Sequence, residues 1–292
     1  MASQNQLVWF ITGTSSGLGE CLVRSVLARG DCAIATVRQL SKFRLDIPDR
    51  SRLHVVELEL TDSPENMAKI VAEAVSKWGR IDVLVNNAGI MPHSVTEEGG
   101  SQAAMTTFNT NFFGQINLVN AVLPYMRERK SGTIVNVGSR SAWIDLPPYG
   151  WYTASKAALH AYSVTLAREV ASFNIRIVIA VPGGFQTSPN LLNGPNLSTR
   201  FLPDYDALRE QSKQAIQNAW TNWKGAGDPA KAMEFLVDVV KGEGRAKGRE
   251  APLWLLLGQG TYDRARAYCK NLTDTMDVWE DLSKNLDFDT KL

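Results

Sequence analysis

The chain has 292 residues, 44% of them hydrophobic and 21% charged, with a formal net charge of +1. That length suits one large α/β domain and is short for two. The balance of charge, without any block of one sign, excludes a nucleic-acid partner or a charged tail, and no apolar run approaches the length that crosses a bilayer, which excludes a membrane anchor.

The first residues lack a basic region followed by a long apolar run, so no secretory signal is expected. The three cysteines, Cys21, Cys32 and Cys269, are odd in number and far apart. They fit a reducing compartment, hence a cytoplasmic protein, better than a disulfide framework. No His, Asp, Glu or Cys cluster has ligand spacing, so no metal site is expected.

Leu7-Val8-Trp9-Phe10-Ile11 is a continuously apolar run, the mark of a parallel strand buried on both faces. Thr12-Gly13-Thr14-Ser15-Ser16-Gly17-Leu18-Gly19 follows it directly, and then a helix whose apolar face carries Leu22, Val23, Val26 and Leu27 before Gly30 ends it. Strand, glycine-rich turn and helix in that order form a pyrophosphate site. The glycines admit a close backbone approach, and the helix start presents free N–H groups and its positive end. Gly13, Ser15, Ser16, Gly17, Leu18 and Gly19 are its expected contacts.

The second strand is Cys32–Val37, and Arg38 comes next. At this place an acid would receive the ribose 2′-hydroxyl of NAD, whereas Val37 offers no carboxylate and a guanidinium suits a 2′-phosphate. NADP(H) is therefore the expected cofactor, with Lys42 a lesser candidate for the same phosphate. Residues 39–51 are charged and broken by Pro48, too short for a crossover helix. Leu53–Leu58 is the third strand and leads into Glu59 and Leu60. Ser63 caps a helix that starts at Pro64 and runs to about Trp78. Val83-Leu84-Val85 is the fourth strand, followed at once by Asn86-Asn87-Ala88-Gly89.

A long helix is expected from about Gln102 to Arg129, with Asn111 inside it. Ile134–Val137 is the fifth strand, and Ser139 and Ser141 lie on the loop after it. The Ala-rich stretch from Gly150 onward reads as a helix. Tyr152 and Lys156 stand four apart on it, on one face, so that the ammonium is expected to lower the phenol's pKa and make it a proton donor and acceptor. Ile175–Val181 is the sixth strand. Periodicity then weakens over residues 185–227, which carry Phe185, Leu191, Leu192, Phe201, Leu202, Tyr205, Trp220 and Trp223. Asp228-Pro229 starts a helix to Val240, Leu253–Leu257 is the seventh strand, and 259–286 is a charged amphipathic helix with Tyr262, Ala265, Leu272, Met276, Trp279 and Leu282.

Taken together, these motifs resemble the short-chain dehydrogenase/reductase family, in its compact single-domain branch. The resemblance runs from about Leu7 to Gly258. It is carried by the turn from Thr12 to Gly19, Asn86 to Gly89, Asn111, Ser139, Tyr152 with Lys156, and Pro182-Gly183 with Thr187. It implies a doubly wound (Rossmann) parallel α/β sheet of about seven strands. It also implies Tyr152 as acid/base, Lys156 lowering its pKa and holding the nicotinamide ribose, Ser139 binding the reacting oxygen, and Asn111 keeping a water chain to the lysine. Ser141 is a rival to Ser139, but the family's Ser–Tyr interval matches 139. Asn87, Ala88, Gly89, Pro182, Gly183, Phe185 and Thr187 are expected on the cofactor. Glu59 and Leu60 are expected at the adenine, although the family commonly has Asp at 59. Gly138 stands where a second serine is often found, which is expected to loosen the loop bearing Ser139.

The expected activity is NADP(H)-dependent hydride transfer between nicotinamide and a carbonyl or secondary alcohol. A non-redox isomerase, dehydratase or cyclase and an NADPH-sensing regulator are the alternatives. In this family residues 185–227 close over the substrate as a lid. Its aromatic residues, with Trp143, Ile144, Leu146, Pro147, Pro148, Tyr149 and Trp151, either favour a bulky apolar or aromatic ketone or pack only against one another; Met91 and His93 are further candidates for the pocket. His54, His93 and His160 are expected to be structural. Relatives pair the helices bearing Asn111 and Tyr152 between subunits, so a homodimer or homotetramer is expected.

Overall fold

The computed structural model describes residues 6–185, 187, 194–221, 227–286 and 288. Seven strands form one parallel sheet in the order β3-β2-β1-β4-β5-β6-β7. They are β1 Val8–Ile11, β2 Cys32–Val37, β3 Leu53–Glu57, β4 Val83–Asn86, β5 Gly132–Val137, β6 Ile175–Pro182 and β7 Trp254–Leu257. The helices are α1 Gly17–Ala28, α2 Pro64–Trp78, α3 Thr96–Phe108, α4 Gly114–Arg129, α5 Gly150–Glu169, α6 Asp206–Thr221, α7 Pro229–Lys241 and α8 Gln259–Ser283.

Both faces of the sheet are covered, which is why the strands are mostly apolar and the central β1 is wholly so. Along β1, Val8 and Phe10 enter a core with Met67 and Val71 of α2, Leu118 and Val122 of α4, and Leu166 of α5. Trp9 and Ile11 point the other way, to Leu22 and Val26 of α1 and Leu236 and Val237 of α7. The alternation follows from the two-residue period of a strand. Helix α2 has the signals expected of it: the Ser63 hydroxyl accepts from the Asn66 N–H, Pro64 opens the first turn, and Gly79 ends it in the left-handed region. Asp228 caps α7 in the same way.

One expectation is revised. The helix anticipated over 102–129 is broken into α3 and α4 by a π-turn at Asn109–Phe113, where the Gly114 N–H bonds back five residues to the Asn109 carbonyl. The π-turn winds Asn111 inward, and its side chain is fully buried. Helix α8 is exposed along most of its length, with Thr261 its one buried residue. Among the described residues, no helix is long and apolar enough to cross a membrane.

Candidate functional site

In an open parallel sheet, side chains that follow the carboxyl ends of the strands converge on one crevice. Here that crevice is a cleft of about 760 Å³. It is walled by segments that leave β1 at Thr12, β2 at Arg38, β4 at Asn87, β5 at Gly138 and β6 at Gly183. Of the residues expected to hold a cofactor or do chemistry, all line it except Gly19 and Asn111.

The glycine turn and the segment after β4 are clasped by one side chain. The Thr12 hydroxyl accepts from the backbone N–H groups of Asn87, at 3.0 Å, and Ala88, at 2.9 Å. Asn87 returns the contact, its amide donating to the carbonyls of Thr12 and Gly13 at 2.8 and 3.2 Å. Gly13 sits at φ +69°, and a Cβ there would lie 2.8 Å from the Ala88 Cα, so a side chain is barred on both counts. Gly19 has a different task from the one expected. It faces away from the cleft, where a Cβ would fall 2.3 Å from the Gly13 carbonyl oxygen; its bareness lets α1 start against the turn. Ser16 caps α1 in an extended conformation, yet its side chain makes no capping bond, so the hydroxyl is uncommitted. Gly17 and Leu18 carry the helix start into the cleft.

Arg38 is exposed at the rim beside Val37 and makes no ion pair with any described residue. Glu59 and Leu60 line the same end, Glu59 partly exposed and Leu60 buried. Thr187 approaches from the opposite wall, close enough that a Cβ on Gly17 would be 3.3 Å from its own. Phe185 is buried, packed over Gly227, and contributes its edge to the cleft.

At the end of β5, Ser139, Ser141 and Tyr152 form one cluster. The Ser141 hydroxyl donates to the Ser139 hydroxyl at 2.8 Å, and the Ser141 N–H donates to the same oxygen at 3.1 Å. The Tyr152 phenol lies beside both hydroxyls, which favour its charged form. Ser141, the rival to Ser139 in the sequence, lies in the short 3₁₀ turn at Arg140–Trp143, which folds its hydroxyl back onto that of Ser139. Lys156 is buried, with its Nζ 6.0 Å from the Tyr152 ring centroid and 2.8 Å from the Val137 carbonyl, to which it donates. Burial holds the lysine down at about 8. Burial also pushes the Tyr152 phenol up, while the Ser139 and Ser141 hydroxyls pull it down. The net direction is upward, so any lowering by the ammonium is outweighed by burial.

Asn111 stands behind the lysine. Its amide brackets the backbone of Ile90, with Oδ1 accepting from the N–H and Nδ2 donating to the carbonyl, both at 2.8 Å. Nδ2 is also 3.2 Å from the Ser155 hydroxyl, which donates to the Tyr152 carbonyl. Gly89 is the spacer: a Cβ there would be 3.1 Å from Asn111 Oδ1 and 3.8 Å from Lys156 Nζ. Asn111 thus fixes the floor under Tyr152 and Lys156 without touching either side chain.

The loop bearing Ser139 is not loosened by Gly138. A Cβ at 138 would lie 2.1 Å from His160 Nε2, so the missing side chain is the space the imidazole occupies. His160 Nε2 accepts the Ser139 N–H at 3.3 Å. The ring is packed between Trp143 and Trp254, 5.5 and 5.2 Å centroid to centroid. Burial and the nearby Lys156 charge hold His160 down at about 4, so it is neutral and able to accept. The histidine expected to be merely structural seats the reactive serine.

The substrate end is less aromatic than expected. Met91, Ile144, Leu146 and Pro195 line it, together with Arg140. Trp143 instead stacks on His160 and Trp254, Tyr149 is buried, Phe201 lies under the Arg209 guanidinium, and Tyr205 donates to Glu97. None of these rings lines the cleft, and Phe201 is largely exposed; His93 and Trp151 also stay outside it. Residues 194–209 are strapped to α3. Glu98, fully buried, takes the Leu202 N–H at 2.8 Å and pairs with Arg209, while its carbonyl receives Thr199. Of the remaining expected lid residues, Leu191, Leu192 and Trp223 lie outside the described residues, as do the side chains of Lys42 and Trp220.

The model of the short chain dehydrogenase family matches residues 7–192. The chain is 30% identical over 285 residues to "Oxidoreductase BOA17" of Botryotinia fuckeliana, spanning 94% of this chain and 97% of that one. It is 35% identical over 184 residues to a 3-ketodihydrosphingosine reductase of Bacteroides thetaiotaomicron, an alignment spanning 63% of this chain and 65% of the other. Among solved structures, a short-chain dehydrogenase from Streptomyces avermitilis superposes with a TM-score of 0.84 at 32% identity, covering 98% of this chain and all of that one.

Proposed function

This chain belongs to the short chain dehydrogenase family of oxidoreductases, and from that premise we propose an NADP(H)-dependent reductase of ketones carried on an apolar body. The observation that carries the reading is the Tyr152 phenol beside the hydroxyls of Ser139 and Ser141 in the cleft that begins at the glycine turn.

The residues present fit a dinucleotide. Gly13 leaves no room for a side chain where the turn passes Ala88, the Ser16 hydroxyl is uncommitted beside the start of α1, and the Arg38 guanidinium is unpaired among the described residues. Gly13 to Leu18 would hold the pyrophosphate and Arg38 the 2′-phosphate; Glu59 and Leu60 would flank the adenine, and Thr187 the nicotinamide end. When bound, the nicotinamide supplies the hydride that reduces the carbonyl carbon. Ser139 orients the carbonyl oxygen by a hydrogen bond, and Tyr152 gives that oxygen its proton. A ketone, one hydride and one proton make the alcohol. Lys156 stabilises the phenolate left behind, and Ser141 shares that task through its own hydroxyl.

The apolar lining at Met91, Ile144, Leu146 and Pro195 supports a substrate with an aliphatic or bulky apolar frame. The relative from Bacteroides thetaiotaomicron is named for reduction of 3-ketodihydrosphingosine, a ketone. Arg140, half-buried on the lining and without an ion-pair partner among the described residues, favours an acceptor or anionic group on the substrate. A reducing compartment, the cytoplasm, fits the free Cys21, Cys32 and Cys269.

The test is turnover of a panel of long-chain, polycyclic and aryl ketones with NADPH, with and without a carboxylate, in wild type and Tyr152→Phe. Oxidation of NADPH by wild type, lost in the variant while NADPH still raises the melting temperature, supports the reading. Substrate conversion without loss of NADPH would replace it with non-redox chemistry, and a Tyr152→Phe protein as active as wild type would end it.

A further inference from the structure

Helix α8 runs 25 residues, and after its first turn it touches almost nothing of its own chain. Thr261 anchors it, the hydroxyl donating to the Leu257 carbonyl at 2.8 Å. Beyond that turn its apolar residues face solvent: Leu272 is 53% exposed, Met276 59%, Trp279 58% and Leu282 70%. Apolar side chains of this size are seldom left open in a row.

The row has a regular period. Tyr262, Ala265, Cys269, Leu272, Met276 and Trp279 alternate three and four apart, and the same step continues through Ser283 to Leu286. That is the heptad seam by which one helix packs against another. The charges of α8 oppose its own dipole, which favours acids at the start and bases at the end. Arg264, Arg266 and Lys270 lie in its first half against Asp263, while Asp274, Asp277, Glu280 and Asp281 lie in its second against Lys284. A second α8 running the other way would set each half against its opposite. A parallel one would set like against like.

We propose that α8 pairs antiparallel with the α8 of a second copy of this chain, about a two-fold axis near Asp274. One register pairs the whole seam. Leu272 then meets the second copy's Met276, Cys269 its Trp279, and Ala265 its Ser283, with Val278 left on the outer face. In that register the flanking positions also agree: Arg266 stands beside the second copy's Glu280, and Tyr268 beside its Leu282. The exposed Tyr268 and Leu282, which lie off the seam, are thereby covered as a pair. The contact is isologous, so every such pair occurs twice. The acidic second half of α8 argues against an anionic membrane surface as the partner.

The experiment is sedimentation equilibrium of the full-length protein with Arg266→Glu, Glu280→Arg, the double variant, and Leu272→Asp. Wild type associates through α8. Each single reversal places like charges together twice and weakens that association several-fold, whereas the double variant, or an equimolar mixture of the two singles, restores it. Leu272→Asp halves the particle mass, by weakening association ~100-fold or more. NADPH-induced thermal shifts stay at the wild-type value throughout, which shows that the variants are folded. A parallel pair is insensitive to both reversals and crosslinks readily through Cys269, whereas the antiparallel register keeps those sulfurs about 15 Å apart along the axis. Unchanged mass in Leu272→Asp, failure of the double variant to recover, efficient Cys269 crosslinking, or vesicle binding in place of self-association would each overturn the proposal.

Discussion

The Ser139 N–H donates to His160 Nε2 in the volume that a side chain at position 138 would fill. Glycine and histidine, 22 residues apart in the chain, are thus one device. The first has no Cβ so that the second can reach the serine loop. Gly138→Ser, which restores the residue common in the family, therefore drives the imidazole out. The expected result is a fall of about 10-fold in kcat with little change in KM, since the loop loses a buried hydrogen bond while the cofactor wall is untouched. Adding His160→Ala to Gly138→Ser recovers part of the loss; steady-state kinetics of the three proteins check it.

His160 also sets a pH dependence of stability. Its folded pKa is about 4, below the ordinary 6.5, because burial and Lys156 disfavour the cation. A group depressed in this way contributes stability that is complete above pH 6.5 and is lost as pH falls toward 4, since the unfolded chain takes up the proton first. The loss amounts to about 3 kcal/mol at most. Denaturant midpoints of wild type fall across that window, and those of His160→Leu fall less.

Lys156 titrates at about 8 because it is buried. Its ammonium, and with it the stabilisation of the Tyr152 phenolate, disappears as pH rises through that value. Reduction rates fall on the alkaline side of pH 8, and Lys156→Met loses turnover by roughly 100-fold or more at pH 7. The same lysine makes the fold more stable over pH 8 to 10.5, because the unfolded chain there holds the proton that the folded chain has released. Activity and melting temperature therefore move in opposite directions over this range.

Ser141 shares the phenol with Ser139. Ser141→Ala is expected to cost about 10-fold in kcat and Ser139→Ala more, with the double variant losing less than the product of the two. Independent losses would show that Ser141 only shapes the turn.

Arg38→Asp removes the rim guanidinium and supplies the acid that a ribose hydroxyl prefers. NADPH affinity is expected to fall by about 100-fold and NADH affinity to hold or rise. Titration calorimetry with both nucleotides decides it, and equal losses would contradict the phosphate assignment.

The strands were legible because burial on both faces leaves them mostly apolar, β1 wholly so, and α2 because Ser63, Pro64 and Gly79 mark its ends chemically. The cofactor wall was legible for a related reason, each glycine or asparagine there answering a backbone constraint that only a few residues meet. Asn111 was harder. Its burial depends on the π-turn, which is held by the Ile90 backbone from a separate segment, and no local period announces it. The contact made by His160 was not legible because the space it fills is an absent side chain at Gly138. The aromatic residues around 143–151 and 201–205 were visible in number but not in direction, since ring packing is decided by the walls they join.

The three rings at the end of β5 carry a consequence beyond the serine. Trp254 opens β7, and β7 leads through Gly258 into α8, so the indole that braces His160 stands a few residues upstream of the helix that pairs two copies. A pull on that helix is delivered to the brace and also to the cleft wall, where Gly260 packs against Arg140 and Thr261 against Gly183. Self-association and the seating of Ser139 thus share a mechanical linkage, and kcat should vary with protein concentration over the range in which the copies separate.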